Sequence, residues 1–142
     1  MNTTSVKKLI TSLTLPLAVG SIAGIFTTRA IPNWYATLNQ PSFNPPNWLF
    51  GPVWTTLYIL MGISLYMVWA LPTGKERNIA LLAFGVQLVL NFAWSFFFFY
   101  FKTIGFALIE ILVLWMSIVG MIVLFNKVNK EYSCRQLSVL LY

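Results

Sequence analysis

Residues 34–48, WYATLNQPSFNPPNW, lie between two strongly apolar stretches, where a connecting loop is expected, and they carry no charge. No Lys, Arg, Asp or Glu occurs anywhere between Arg29 and Lys75. In place of charge the segment has Trp34, Tyr35, Phe43 and Trp48, and it has Pro41, Pro45 and Pro46. Each proline fixes one backbone dihedral, so the loop has little freedom to lose when it docks. A stiff, uncharged, aromatic loop suits an apolar surface better than bulk water. On composition alone, residues 30–50 read as an aromatic belt at the membrane surface.

What surrounds that loop is set by the flanking segments. The chain has 142 residues, 58% of them hydrophobic and only 8% charged, with a mean hydropathy of +0.77. Soluble domains carry about a quarter charged residues, and a membrane-crossing helix needs about 20 apolar residues in a row. Four such runs are present, at about 9–28, 51–71, 79–101 and 104–125. The first is too long for the apolar region of a signal peptide, so a retained helix is expected; Pro16 is a candidate kink. Pro52 suits the first turn of the second helix, where its missing N–H costs nothing. Only Lys102 and Thr103 separate the third and fourth runs, which makes them an antiparallel hairpin. The expectation is a single all-α integral membrane domain over 1–142, with residues 135–142 as the stub of a further helix.

The chemical inventory is narrow. There is no His, one Cys (Cys134) and three acids, Glu76, Glu110 and Glu131. Hydrolysis by a Ser-His-Asp or Cys-His arrangement is excluded without His, and so are zinc sites and His-ligated haem. The net charge is +6, yet the basic residues cluster at the ends of apolar runs, as topology signals do. No basic patch with interleaved stacking residues exists for nucleic acid. Lys7, Lys8, Lys75, Arg77, Lys127, Lys130 and Arg135 fall on one side, against Arg29 and Lys102 on the other. In a bacterial cell membrane this bias places the N-terminus in the cytoplasm and the uncharged loop on the far side.

Polar groups inside the spans are candidates for function, because hydrocarbon penalises them. Gln87, Asn91 and Ser95 share one face of the third helix at i, i+4 and i+8, flanked by Trp94 and Phe98. They read equally well as an interhelical hydrogen-bond stripe or as a cavity wall. Glu110 lies early in the fourth helix and reads either as a functional carboxylate or as one bonded to Gln87, Asn91 or a tyrosine. Trp54, Tyr58, Met61 and Leu65 form one face of the second helix, which alone suggests core packing. Gly20 and Gly24 form a G-x-x-x-G pair, fit for close packing within the chain or between chains. Taken together, Trp34, Tyr35, Trp48, Trp54 and Tyr58 gather flat aromatic surface at one end of the bundle, near amide groups. That combination suits a planar, largely apolar ligand.

Three motifs carry a resemblance over about residues 9–128: W-Y-x-x-L-x-x-P-x-F-x-P-P from Trp34, G-P-x-W-x-x-L-Y from Gly51 and N-x-x-W-S from Asn91. In order and spacing the chain resembles the translocator protein family, the tryptophan-rich sensory proteins of bacteria and the peripheral benzodiazepine receptor of animals. The resemblance implies a five-helix membrane bundle, often a homodimer, whose first loop folds over a pocket. It implies tetrapyrroles as ligands, protoporphyrin IX and haem among them, besides synthetic benzodiazepine-type ligands, and sterol in animal members. Porphyrin would be a ligand, with no tightly bound cofactor. Trp34 and Tyr35 of the loop, Trp54 of the second helix and Asn91 and Trp94 of the third match the pocket positions, and Glu110 matches a position usually acidic. Trp48, Tyr58 and Phe98 complete the expected ligand-binding set. Some bacterial members degrade porphyrin in light, for which Trp34 and Trp54 are the candidate residues.

One departure stands out. The family's fifth helix opens with a Pro-Tyr pair and carries another pocket tryptophan, whereas residues 131–142 read EYSCRQLSVLLY. Suitable codons for that tail, read one base later, encode NTAAGNFPYY, so a frame slip near Lys130 is the expected cause, and sequencing the gene decides it. The spacing of Val128, Tyr132 and Arg135 matches a sterol motif too weak to use. Two other functions stay open: a small proton-coupled transporter working through Glu110, and a structural subunit that regulates a partner.

Overall fold

The structure, a computed structural model, describes residues 3–40, 42 and 44–140, with side chains described as far as Lys130. Pro41 and Phe43 of the loop, Tyr132 and Arg135 of the sterol motif, and the last two residues of the expected stub lie outside the described residues or side chains. An apolar segment in hydrocarbon has to satisfy its backbone N–H and C=O groups internally, and an α-helix does so within one segment. Four α-helices form: α1 Thr3–Ala30, α2 Phe50–Trp69, α3 Lys75–Ser95 and α4 Ile104–Leu140. Among the described residues, these four are long and apolar enough to cross a membrane.

α1 packs chiefly along α2, and α3 along α4. The α1–α2 contact is made backbone to backbone. Pro16 has no N–H to offer the Ser12 carbonyl four residues earlier. Gly62 of α2 packs on that carbonyl, where a Cβ would stand 2.7 Å from the Ser12 oxygen and 2.9 Å from Leu13 Cα. The helix runs through Pro16 from Thr3 to Ala30. Beyond this contact Ser5 Oγ and Tyr66 Oη are 2.8 Å apart, and Lys8 Nζ donates to the Trp69 carbonyl at 3.0 Å. A cation on the last carbonyls of α2 is favoured by the helix dipole.

That bond explains why α1 starts well before residue 9 and takes in Lys7 and Lys8. α3 likewise begins at Lys75, with Glu76 in its first turn as the dipole favours. Arg77 Nη1 ties the preceding turn by donating to the Leu71 carbonyl at 3.0 Å. The end of α3 is not plain α-helix. Phe96–Tyr100 form a π-turn, and the hairpin closes with Lys102 at φ 58° and the Thr103 N–H donating to the Phe97 carbonyl at 3.2 Å.

α4 departs most from expectation. Its backbone stays helical from Ile104 to Leu140, with no break near Asn126 and no separate fifth element among the described residues. Residues 126–140 contain no Gly or Pro, and their Lys, Glu, Arg, Gln and Leu are good helix formers. Polarity ends an apolar run without ending a helix. The core lies away from the loop over 31–49: Leu65 and Val68 of α2, Ala80, Phe84 and Leu88 of α3, and Met121, Phe125 and Val128 of α4.

Candidate functional site

The spans carry many hydroxyls, and most of them close on their own helix. Thr14, Ser21, Thr27, Thr28, Thr55, Thr56 and Ser64 each donate to the carbonyl four residues earlier at 2.8–3.1 Å. This back-bonding makes a hydroxyl tolerable in an apolar helix. The polar atoms it does not absorb mark where the bundle departs from simple packing.

Asn91, 6% exposed, accepts a hydrogen bond at 2.5 Å from Tyr58 Oη, joining α3 to α2. Tyr58 is fixed from behind as well, because Gly20 of α1 sits against its ring and any Cβ there would overlap it. The close-packing role of Gly20 is therefore within the chain. Gln87, 2% exposed, leaves Oε1 without a partner, and both carboxylate oxygens of Glu110 are shielded and unpartnered among the described residues.

From Tyr58 a continuous file of rings runs toward the loop. The Tyr58 and Trp54 rings are 6.0 Å apart, and Trp54 stacks on Trp94 at 6.1 Å. Trp94 stacks on Phe98 at 5.3 Å with planes 7° apart, and Trp34 of the loop meets Phe98 edge-on at 5.3 Å. Such offset and edge-to-face pairs each contribute about 0.5–1.5 kcal/mol beyond their buried area. Tyr35 joins the same end through Phe50, Phe98 and Phe99. The π-turn matters here: its extra residue per turn rotates Phe98 and Phe99 relative to a regular helix, and these are the rings that receive the loop.

The loop is also tied to itself. Tyr35 Oη donates to Asn44 Oδ1 at 3.0 Å, Asn44 Nδ2 to Gln40 Oε1 at 2.8 Å, and Gln40 Nε2 to the Tyr35 carbonyl at 2.7 Å. Three neutral side chains thus satisfy one another without any charge. Pattern reading missed this ring of bonds because it joins residues four, five and nine apart, across Pro41.

A cavity of about 290 Å³ opens between α1, α2 and the end of α3. Ala23, Gly24, Thr27, Thr28 and Ile31 line it from α1 and just beyond, and Phe50, Gly51, Trp54, Thr55 and Tyr58 from α2. Trp94, Ser95 and Phe99 close the third side, and Asn47 stands at the loop edge. Gly24 and Gly51 face open space, with nothing within 4 Å of a Cβ built on either. The wall is largely apolar, with the Trp54–Trp94 stack as its flat side.

The expected site residues divide into five groups. Trp54, Tyr58 and Trp94 line the cavity directly. Asn91 supports it through Tyr58, and Phe98, Trp34 and Tyr35 continue the file of rings without lining the cavity. Trp48 is 71% exposed and does not line the cavity. Glu110, on α4, lies outside the lining, and its carboxylate makes none of the bonds expected to Gln87, Asn91 or a tyrosine. Residues that reading by type passed over, Thr27, Thr28 and Gly51 among them, line the cavity because they are small.

The sequence profile of the TspO/MBR family matches residues 12–141. A tryptophan-rich protein TspO of Chlorobaculum tepidum is 43% identical over 122 residues, which is 84% of this chain and 76% of that protein. A translocator protein of Bos taurus is 38% identical, covering 69% of this chain and 59% of its own length. A tryptophan-rich sensory protein of Cereibacter sphaeroides is 34% identical over 75% of this chain.

Proposed function

The chain belongs to the TspO/MBR family, and from that membership we propose that this integral membrane protein senses or regulates porphyrin level by taking tetrapyrroles, protoporphyrin IX and haem among them, into the cavity between α1, α2 and α3. The observation that carries this reading is the cavity wall built on the Trp54–Trp94 stack. With no His in the chain, porphyrin is a passing ligand held by ring stacking and the Tyr58–Asn91 pair. Small-molecule sites span about 300–1,000 Å³, so a whole macrocycle widens this cavity on entry. The open flank at Gly24 and Gly51 is where it gives. Slow light-driven degradation of the porphyrin, with Trp34 and Trp54 as its candidate residues, belongs to the same proposal, as do a homodimer, sterol or other lipid as an added ligand, and an N-terminus facing the cytoplasm of a bacterial cell.

Titrating the purified protein with protoporphyrin IX tests this. Tryptophan fluorescence is expected to fall saturably, and the Trp54→Phe/Trp94→Phe pair is expected to bind at least tenfold more weakly, about 1.4 kcal/mol. An affinity unchanged in the pair would remove the cavity from the reading. A second reading rests on Glu110, whose shielded, unpartnered carboxylate suits a proton-coupled carrier. Dye efflux from proteoliposomes driven by a proton gradient, and abolished in Glu110→Gln, would favour it.

A further inference from the structure

Two cations occupy the lid end of the bundle: Arg29 in the last turn of α1 and Lys102 in the α3–α4 turn. They are the two basic residues on the side that the charge bias leaves poor. The fold brings them into one pocket of about 320 Å³, walled by Phe26, Asn33, Trp34 and Tyr100. This pocket is separate from the cavity beside Trp54 and shares with it only the ring of Phe99. We propose that it is a binding site for the phosphate of an anionic membrane lipid.

The argument begins with charge. Among the described residues neither the Arg29 guanidinium nor the Lys102 ammonium has an ion pair or a side-chain hydrogen bond, and the chain has almost no acid to give them. Glu76 stands at the other end, in the first turn of α3, Glu110 lies within α4, and Glu131 follows in its C-terminal part. Two like charges gathered beside aromatic walls repel each other until an anion sits between them.

Shape then selects the lipid. The pocket lies where the apolar spans end, the level of lipid headgroups. One helical turn below Arg29 and Phe26 on α1 stand Ile25 and Ile22, both half-exposed. Beside the pocket Tyr100 and Phe101 are exposed as well. A double cation above an apolar track matches an anionic phosphate carrying acyl chains, whereas a free phosphate ion has no use for the track. Basic side chains held at the headgroup level attract anionic lipid.

Native mass spectrometry of the full chain released from detergent tests the site, with dioleoyl phosphatidylglycerol and dioleoyl phosphatidylcholine as probes. The unmodified protein is expected to retain one phosphatidylglycerol in clear preference to phosphatidylcholine. Arg29→Gln/Lys102→Gln is expected to bind phosphatidylglycerol roughly 25-fold more weakly. The control Lys7→Gln/Lys127→Gln, equal in charge and placed at the other end, is expected to bind as the unmodified protein does. An equal loss in the control pair would mean that net charge alone attracts the lipid, and would overturn the site. Displacement of the lipid by millimolar inorganic phosphate would overturn the lipid in favour of a free anion. No preference between the two lipids in the unmodified protein would overturn the proposal whatever the variants do, including a case in which the double variant fails to fold.

Discussion

The α1–α2 pair is two different interfaces along one length. Near Ser12, Gly62 lets the two backbones touch over a carbonyl that Pro16 leaves free. Near Thr28 the same helices stand apart, and Gly24 and Gly51 border empty space. Glycine serves both ends, by admitting a neighbour at one and by leaving room at the other. The cavity is a splay between the two helices, bordered by the file of rings and closed below by the Gly62 contact. In a bilayer this division is workable because lipid gives apolar side chains little reason to collapse, so shape and packing decide where helices meet.

Filling each glycine in turn separates the two interfaces. Gly62→Val drives its side chain into the Ser12 carbonyl and Leu13 Cα, which are backbone and cannot step aside. Overpacking of this kind costs about 1–3 kcal/mol, and here the upper end is expected. Gly24→Val is expected to change stability by less than about 0.5 kcal/mol. Equilibrium unfolding in mixed micelles with increasing SDS reads both. Equal losses at the two positions would end the claim that the helices differ along their length.

Ligand binding separates the two ends differently. Gly24→Leu places a branched side chain into the cavity opposite the Trp54–Trp94 stack. Affinity for protoporphyrin IX is expected to fall about tenfold, or about 1.4 kcal/mol, while unfolding is unaffected. A normal titration curve in this folded variant would show that the ring ligand goes elsewhere.

Tyr58 joins the two ends, since it packs on Gly20, bonds Asn91 and begins the file of rings. Tyr58→Phe keeps the ring and removes the bond, and interhelical hydrogen bonds in membranes contribute roughly 0.6 kcal/mol. Tyr58→Phe and Asn91→Leu are each expected to be destabilising by about that much, and the double variant by less than their sum. Strict additivity in that cycle would mean the bond contributes nothing to stability.

How much of this was legible in the sequence depends on the kind of signal. Apolar runs and the Lys102–Thr103 gap announced the helices and the hairpin, because both are properties of consecutive residues. The stripe Gln87, Asn91 and Ser95 announced a buried face by its period. Three things were hidden. The π-turn at Phe96–Tyr100 has no composition of its own, and it decides which rings meet the loop. The continuation of α4 was masked by polarity, which says where hydrocarbon ends and nothing about where a helix does. The cavity lining was hidden because reading by residue type favours large aromatics, while a hole is made where side chains are small, as at Gly24, Thr28 and Gly51.

The loop gives the smallest expected effect and a fine test of how the open end is held. Trp34 and Tyr35 bind it to the π-turn by ring contacts, and the Tyr35–Asn44–Gln40 bonds close it on itself. Asn44→Ala removes the acceptor for Tyr35 and the donor to Gln40, yet leaves every ring contact in place. A net hydrogen bond contributes about 0.5–1.5 kcal/mol, and both groups regain water in part when the loop opens. Global unfolding is therefore expected to change little, while amide hydrogen exchange over residues 35–44 rises several-fold. Trp34→Ala is the complementary change: it leaves the bonds and removes the anchor, so exchange is expected to rise across the whole of 31–40 and also at the end of α3. If Asn44→Ala loosened α3 as well, the polar ring and the aromatic anchor would be one cooperative unit, and the lid would be part of the bundle's stability instead of a cover resting on it.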